Sequence, residues 1–287
     1  MSVQITTAFV NQFSSNIQML SQQMGSLLRN AVDVETVNGE KAFFDQVGSA
    51  AAVLRTTRHA DTPLIDTPHS RRMVTMSDYE YADLIDDQDK VRLLVDPTST
   101  YARAAAAAMG RAMDDVIISA ALGTSLTGKD GTTSTPFDTA NNQIAVGGAG
   151  LTLAKLIEAK EILDSNDVDP SIPRYIAVSP KQITNLLDDP EVTSADYNTV
   201  RALVKGELDT YVGFKFVVTN RLGLDGSGDR RCFAWAMDGI KLAVGKEPTA
   251  RIDERADKSY ATQVYYCMSV GATRMEEAKV VEVICDE

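Results

Sequence analysis

The sequence predicts an α+β fold, and three observations carry that expectation. Helical and strand-like segments follow one another without strict βαβ alternation, which disfavours a parallel doubly wound sheet. Asp96-Pro97 opens the clearest helix in the chain, which runs to Gly123. Between residues 55 and 72 lies a stretch whose large apolar residues are only Leu64 and Ile65. Such a stretch cannot offset its own ordering entropy with a core, and it is too long for an ordinary connection inside a compact domain. It is either disordered or a hairpin that projects and finds its partner elsewhere.

The elements can be justified in order. Ile5, Phe9, Phe13, Ile17, Leu20, Met24 and Leu27 recur at steps of three and four, one apolar stripe on a helix. The stripe suits either a core-packing helix or a detached arm lying on another chain. A short apolar stretch follows, from Phe43-Phe44 to Leu54. Met73-Val74-Thr75-Met76 and Val91 to Val95 are strand-like. Asp96 caps the long helix and Pro97 occupies its first position. Tyr101, Ala105, Met109, Ala112, Val116 and Ala120 form its stripe, widened by Met113 and Ile117, with Arg103, Arg111, Asp114 and Asp115 placed away from it. Gly123 is the stop.

Residues 124–150 are rich in Gly, Thr, Ser and Asn and read as loop with one short strand. A helix is expected from Thr152 to about Leu163, then a strand Arg174 to Val178, then a helix capped by Ser179 and opened by Pro180. Phe214–Val218, Cys232–Ala236, Ile240–Val244, Thr262–Val270 and Lys279–Ile284 are the remaining strands. Met237-Asp238-Gly239 reads as a turn between two of them.

Composition excludes several classes. The chain has 287 residues, which suggests about two domains. It is 44% apolar and 24% charged, so it is not mainly disordered. With 28 basic and 40 acidic residues its formal charge is −12, which argues against nucleic-acid affinity as its main task. No run of apolar residues is long enough for a membrane helix, and Met1 to Ile5 lack the features of a signal peptide. No membrane partner is expected. Cys232, Cys267 and Cys285 form no Cys-x-x-Cys pair, and their odd number fits a reducing compartment. His59 and His69 are ten residues apart and cannot share a helix face as zinc ligands. No catalytic residue, cofactor or metal ligand is assigned.

Gly123 to Asp130 nearly matches a phosphate-binding loop. The working motif follows a strand and opens a helix, whereas here a long helix precedes and Asp130 replaces the final Ser or Thr. A nucleotide-binding enzyme using residues 123–130 is therefore only the alternative from another class. Gly147-Gly148-Ala149-Gly150 reads as a flexible hinge, and Asp83, Asp86, Asp87 and Asp89 as a charged strand edge. Arg55, Arg58, Arg71 and Arg72, with Asp61 and Asp66, flank the tip of the projecting segment. In an assembly these charges would pair with a neighbour.

The ordered set of elements resembles the major capsid protein of tailed bacteriophages, a shell fold shared with herpesvirus floor domains and encapsulins. Asp96-Pro97 to Gly123 looks like the family's spine helix. Arg174 to Pro180 is similar to the strand-then-helix of its axial domain. Gly213-Phe214-Lys215-Phe216-Val217-Val218-Thr219-Asn220 is similar to a typical family strand, and Gly271-Ala272-Thr273-Arg274 to its usual ending. The resemblance implies an N-terminal arm (1–54), an extended loop and return strand (55–95), a peripheral domain with the spine helix (96–150), an axial domain (151–273) and a C-terminal strand returning to the peripheral domain (274–287).

It further implies a structural, non-catalytic subunit of an icosahedral shell. Pentamers and hexamers of that subunit would enclose double-stranded DNA without reading its sequence. Assembly would take place in the host bacterial cytoplasm, and the subunit would reside in the virion. The subunit-contact candidates are Ile5, Phe9, Phe13, Arg55, Arg58, Asp61, Asp66, Arg71 and Arg72. About 55 residues precede the loop, too few for a fused scaffolding segment, so a separate scaffolding protein is expected, with a portal and a decoration protein as further partners. Residues 55–89 contain no Lys, so a Lys–Asn crosslink from the loop is not expected. An encapsulin-like nanocompartment shell is the alternative within the fold.

Overall fold

A computed structural model of the chain describes residues 21–58, 61–62, 64–85, 98–188 and 210–287. These fall into two compact units. The first holds 21–26, 78–85, 98–112 and 246–268; the second holds 27–58, 61–62, 64–77, 113–188, 210–245 and 269–287. Four elements contribute residues to both.

The second unit contains a six-stranded sheet. Its strands, in spatial order, are β7 (Gln143–Ile144), β14 (Val280–Cys285), β11 (Arg230–Ala236), β8 (Arg174–Val178), β10 (Phe214–Val218) and β9 (Thr210–Tyr211). The central strands are near-continuous apolar runs, as expected of strands covered on both faces. Cys232 to Ala236 and Ile176 to Val178 are wholly buried. Trp235 packs against Phe233 and Tyr175, with ring centroids 4.7 and 5.8 Å away, and its indole N–H donates to the Ala31 carbonyl at 2.8 Å.

Helix Leu153–Ser165 begins at Thr152, whose hydroxyl accepts from the Lys155 N–H as an N-cap. Helix Pro180–Asp188 follows β8 directly, as Ser179-Pro180 foretells. The final strand departs from expectation. β14 pairs antiparallel with β11 from Trp235↔Val280 to Arg230↔Cys285, so it joins the sheet of β8 and β10 instead of leaving it. The cause is apolar demand: Val280, Val281, Val283 and Cys285 are all buried there.

A second sheet in the same unit has the order β2 (Lys41–Val47), β3 (His69–Thr75), β5 (Ser125–Thr127), β6 (Thr133–Thr135). Residues 43–47, expected within an arm, are thus half of a hairpin. Ala42 and Phe44 alternate inward on β2 and meet Val74, Ala243 and Met275 in a small core. The Gly/Thr-rich 124–150 segment holds three short strands where one was expected, because two or three residues such as Ser-Leu-Thr, Thr-Ser-Thr and Gln-Ile are too short to show an apolar alternation.

The third sheet runs β1 (Asp33–Thr36), β12 (Ile240–Arg255), β13 (Ala261–Arg274), β4 (Ser77–Ile85). β12 and β13 extend well past the expected ends. Residues 245–254 of β12 are exposed throughout, so no periodic apolar signal marks them. Met237-Asp238-Gly239 forms the expected turn but passes the chain from one sheet to another, since β11 and β12 are not neighbours.

Helix α1 (Thr98–Leu122) spans 25 residues, roughly 38 Å of axial length. Its buried row is Ala105, Met109, Met113, Ile117 and Ala121, an unbroken i+4 series. Asp114 was expected to lie away from the packed face. It is instead fully buried, because its carboxylate accepts backbone N–H groups from Leu27 and Leu28 at 3.1 Å. In the first unit Gly110 lets residue Gly25 cross the helix. A Cβ at Gly110 would lie 2.3 Å from the Gly25 carbonyl carbon. Arg111 donates to Gln22 Oε1 and the Gln23 carbonyl, fixing the end of the N-terminal segment along α1.

Candidate functional site

The loop 48–68 is the feature that the fold leaves incomplete. β2 and β3 pair in full register from Lys41↔Thr75 to Val47↔His69. The Gly48 N–H donates to the Pro68 carbonyl at 2.8 Å and closes the ladder. Beyond this point the described residues form no strand. They carry large apolar side chains into solvent: Val53, Leu54 at 83% and Leu64 at 100% exposure, with Ile65 half-exposed. Covering each such side chain is worth about 1.5–3 kcal/mol. Arg55, Arg58, Asp61 and Asp66 lie on the same loop, all exposed. Arg55 Nε donates to the Thr57 carbonyl at 3.0 Å. Apolar anchors among exposed charges are the composition of a surface awaiting a partner.

Two of the candidate arginines are not at the tip. Arg71 and Arg72 belong to β3 at the root of the hairpin. Arg71 makes a two-pronged contact with Asp45 on β2, its Nε 2.5 Å from Oδ1, and lies over the Phe43 ring at 5.4 Å. The pairing raises the Arg71 pKa and lowers that of Asp45, in each case chiefly through their shared hydrogen bonds. Arg72 points inward and is only 9% exposed. Its Nε donates to the Met275 carbonyl at 2.7 Å, and a terminal nitrogen is 3.5 Å from Glu277 Oε1. Burial pushes the Arg72 pKa down; Glu277 opposes this and the nearby Arg274 adds to it. The expectation that all four arginines flank the tip therefore fails for Arg71 and Arg72, and Arg72 is buried as well. Strand alternation puts adjacent arginines on opposite faces.

The residues that receive Arg72 carried no signal by type. Gln46 on β2 donates to the same Met275 carbonyl at 2.8 Å. Arg274 is wholly buried. Its Nε donates to Glu277 Oε2 at 2.6 Å, one terminal nitrogen donates to the carbonyls of Ala121 and Gly123 at 2.8 Å each, and its guanidinium faces Phe137 at 5.1 Å. It thereby satisfies carbonyls that the end of α1 leaves open. The position of Arg274 inside the run Gly271 to Met275, between strand residues with no other charge, was the one available hint of burial.

Ile5, Phe9, Phe13 and His59 lie outside the described residues, as do Asp86, Asp87 and Asp89. The 123–130 segment forms β5 and its turn, with Gly128 at φ +92° leading toward β6 and no helix opening after Lys129. The 147–150 stretch, read as a flexible hinge, is held in place. Lys155 Nζ donates to the carbonyls of Val146, Ala149 and Ile284 at 2.7–2.9 Å. Desolvation lowers the Lys155 pKa. Among the described residues no group of three His, Cys, Asp or Glu side chains is placed to hold a metal, and no helix is long and apolar enough to cross a membrane.

A folded body that sends out an apolar arm it cannot cover belongs to the structural proteins that are completed by association. The chain belongs to the phage capsid protein family, whose model matches residues 5–287. It is a structural capsid subunit of the virion, and its association builds a shell. The fold is similar to the capsid of the cyanophage P-SCSP1u, with 17% identity, a TM-score of 0.75, and coverage of 99% of this chain and 94% of that one. It is equally similar to the head of the Helicobacter pylori bacteriophage KHP40, with 11% identity, a TM-score of 0.75, and coverage of 100% and 98%. The cyanophage Pam1 capsid gives 14% identity, a TM-score of 0.72, and coverage of 98% and 97%. No curated protein sequence matches the chain.

Proposed function

We propose that the chain is the repeating, non-enzymatic subunit of an icosahedral shell, closed by pentamers and hexamers around packaged double-stranded DNA. The observation that carries this reading is loop 48–68, whose Leu54 and Leu64 stand in solvent at the end of a fully paired hairpin. On a neighbouring copy they become buried, and mass action among identical subunits makes that gain available. Arg55, Arg58, Asp61 and Asp66 pair across the same contact. The stripe of Ile5, Phe9 and Phe13 lies on another subunit as the N-terminal arm.

In this reading the N-terminal residues act as arm, the β2–β3 hairpin with loop 48–68 as extended loop, α1 with the sheet of β12 and β13 as peripheral domain, and the six-stranded sheet, which β14 closes, as axial domain. The closing strand pairs within the axial sheet. A separate scaffolding protein, a portal and a decoration protein are the further partners, and assembly takes place in the host cytoplasm. The net charge of −12 suits a container that does not hold its genome by the phosphates.

The test is expression of the chain, alone and with its scaffolding protein, and electron microscopy of the highest-mass fraction. Closed hollow particles, or sheets and tubes of hexamers, are expected. A uniform monomer under both conditions overturns the proposal.

A further inference from the structure

The hairpin that carries loop 48–68 is a lever. Arg71–Asp45 ties its two strands to each other and Lys241 lies over the Phe44 ring at 4.8 Å, but side-chain hydrogen bonds fasten its root to the rest of the subunit at one segment. The loop has legs of about ten residues, so each can reach roughly 33 Å, and a 10° swing at the root moves the tip by roughly 6 Å. A shell whose contacts are made at such a tip reads small errors in root angle as errors in where the next subunit sits.

The fastening is the segment Arg274 to Glu277. Two donors from opposite strands of the hairpin, Gln46 Nε2 on β2 and Arg72 Nε on β3, converge on the single Met275 carbonyl at 2.8 and 2.7 Å. The flanking residue Arg274 is tied to the end of α1 through the Ala121 and Gly123 carbonyls. Glu277 joins the two halves, 2.6 Å from Arg274 and 3.5 Å from Arg72. The rest of the root is weaker in direction. β3 meets β5 through only Arg72↔Thr127 and Met73↔Leu126, and the core of Ala42, Phe44, Val74, Ala243 and Met275 is apolar and non-directional.

The charge arrangement is costly if stability were its only role. Two buried guanidiniums share one carboxylate, and one terminal nitrogen of each, Arg72 Nη1 and Arg274 Nη2, has no hydrogen-bond partner among the described residues. An apolar side chain of similar volume at residue 72 would avoid both desolvation and repulsion. What it could not supply is a forked, planar donor that fixes orientation.

We propose that Arg72, held between the Met275 carbonyl and Glu277, is a positioning residue that sets the angle at which loop 48–68 leaves its subunit, and through that angle the uniformity of shell size. This rests on the shell reading above. The test compares the full chain with Arg72→Met and Arg72→Lys by hydrogen–deuterium exchange of the unassembled protein and by particle diameters in electron micrographs.

Arg72→Met is expected to speed exchange across 41–47 and 69–75 by tenfold or more, to leave β8 and β11 unchanged, and to give particles of mixed diameter or open sheets. Arg72→Lys keeps one of the two contacts and falls between. If Arg72→Met does not fold, Arg72→Lys decides by the same readouts. Unchanged exchange in the hairpin overturns the proposal, and so do uniform particles of the parent diameter despite a loosened hairpin. A parent chain that forms no particles either alone or with its scaffolding protein sinks the shell reading instead, while the exchange data still report on the fastening.

Discussion

Asp114 accepts the backbone N–H of Leu28 at 3.1 Å across 86 residues of sequence, and the N–H of Leu27 at the same distance. A carboxylate on the long helix thus satisfies two consecutive amides of an incoming segment. Trp235 holds the same segment from the sheet side through the Ala31 carbonyl. The pairing turns the passage after residue 26 into a fixed element of the second unit.

Asp114→Ala leaves both amides without this acceptor, that of Leu28 in a buried setting and that of Leu27 in a half-buried one. We expect a loss of about 3 kcal/mol, since orphaned buried donors that had a charged partner are expensive. Chemical denaturation of the unassembled protein measures it. A loss under about 0.5 kcal/mol would mean that water replaces the carboxylate at no cost.

Arg274→Ala removes the buried guanidinium that serves Ala121, Gly123 and Glu277. Breaking a buried pair by deleting one partner costs about 3–5 kcal/mol. The expected result is a strongly lowered melting temperature and loss of soluble protein on warming. Arg111→Ala, whose partners Gln22 and Gln23 lie in an exposed or half-buried setting, should cost far less in the same assay.

Gly271 lies under the turn between β3 and β4. A Cβ there would sit 2.5 Å from the Thr75 carbonyl oxygen and 2.7 Å from Val74 Cγ1. The nearest neighbour is backbone and cannot rotate away, so Gly271→Ala should destabilise by about 1–3 kcal/mol. Gly223→Ala meets nothing within 4 Å and serves as the control. Equal melting temperatures for the two variants would refute the close approach.

The exposed pair Arg255–Asp257 gives a pH prediction. Arg255 Nε and one terminal nitrogen each reach the carboxylate at 2.7 Å, and this hydrogen bonding lowers the Asp257 pKa to about 2. A carboxyl depressed in the folded state supports the fold above its unfolded value of 3.8, and that support fades as pH falls from there through about 2. Because the pair is solvent-exposed, the effect is local and screened by salt. Carboxyl NMR titration should place the Asp257 midpoint near 2 in the parent and move it up toward 3.8 in Arg255→Gln, with no change in global melting. A parent midpoint already at 3.8 would sink the pairing.

How far the sequence led can be traced through particular residues. The α1 stop at Gly123, the helix start at Thr152, the β8–Ser179-Pro180 junction and β10 at Phe214–Val218 all follow from local rules, and all are present. They were legible because caps, prolines and short apolar runs act on their nearest neighbours. The exposed half of β12 was not legible, since no apolar alternation marks residues 245–254. The projecting loop was legible in part: 55–68, too polar to make a core, announces its dependence on something else, whereas 48–54 read as part of the arm and 69–72 prove to be strand.

By itself, then, the sequence determined most of the longer elements in their order, the long central helix, and a projecting segment that cannot be satisfied alone. Only the tertiary structure decided which charges are inside. Asp114, Lys155, Arg72 and Arg274 look like surface residues in one dimension, and each is buried. Their partners are mostly backbone carbonyls and amides, and many lie far away in sequence, as Ala121 and Gly123 do from Arg274, Met275 from Arg72, and Leu28 from Asp114. Every residue offers the same backbone N–H and C=O, so residue type cannot reveal such partners. Their meeting depends on where the end of α1, the root of the β2–β3 hairpin and the end of β13 converge.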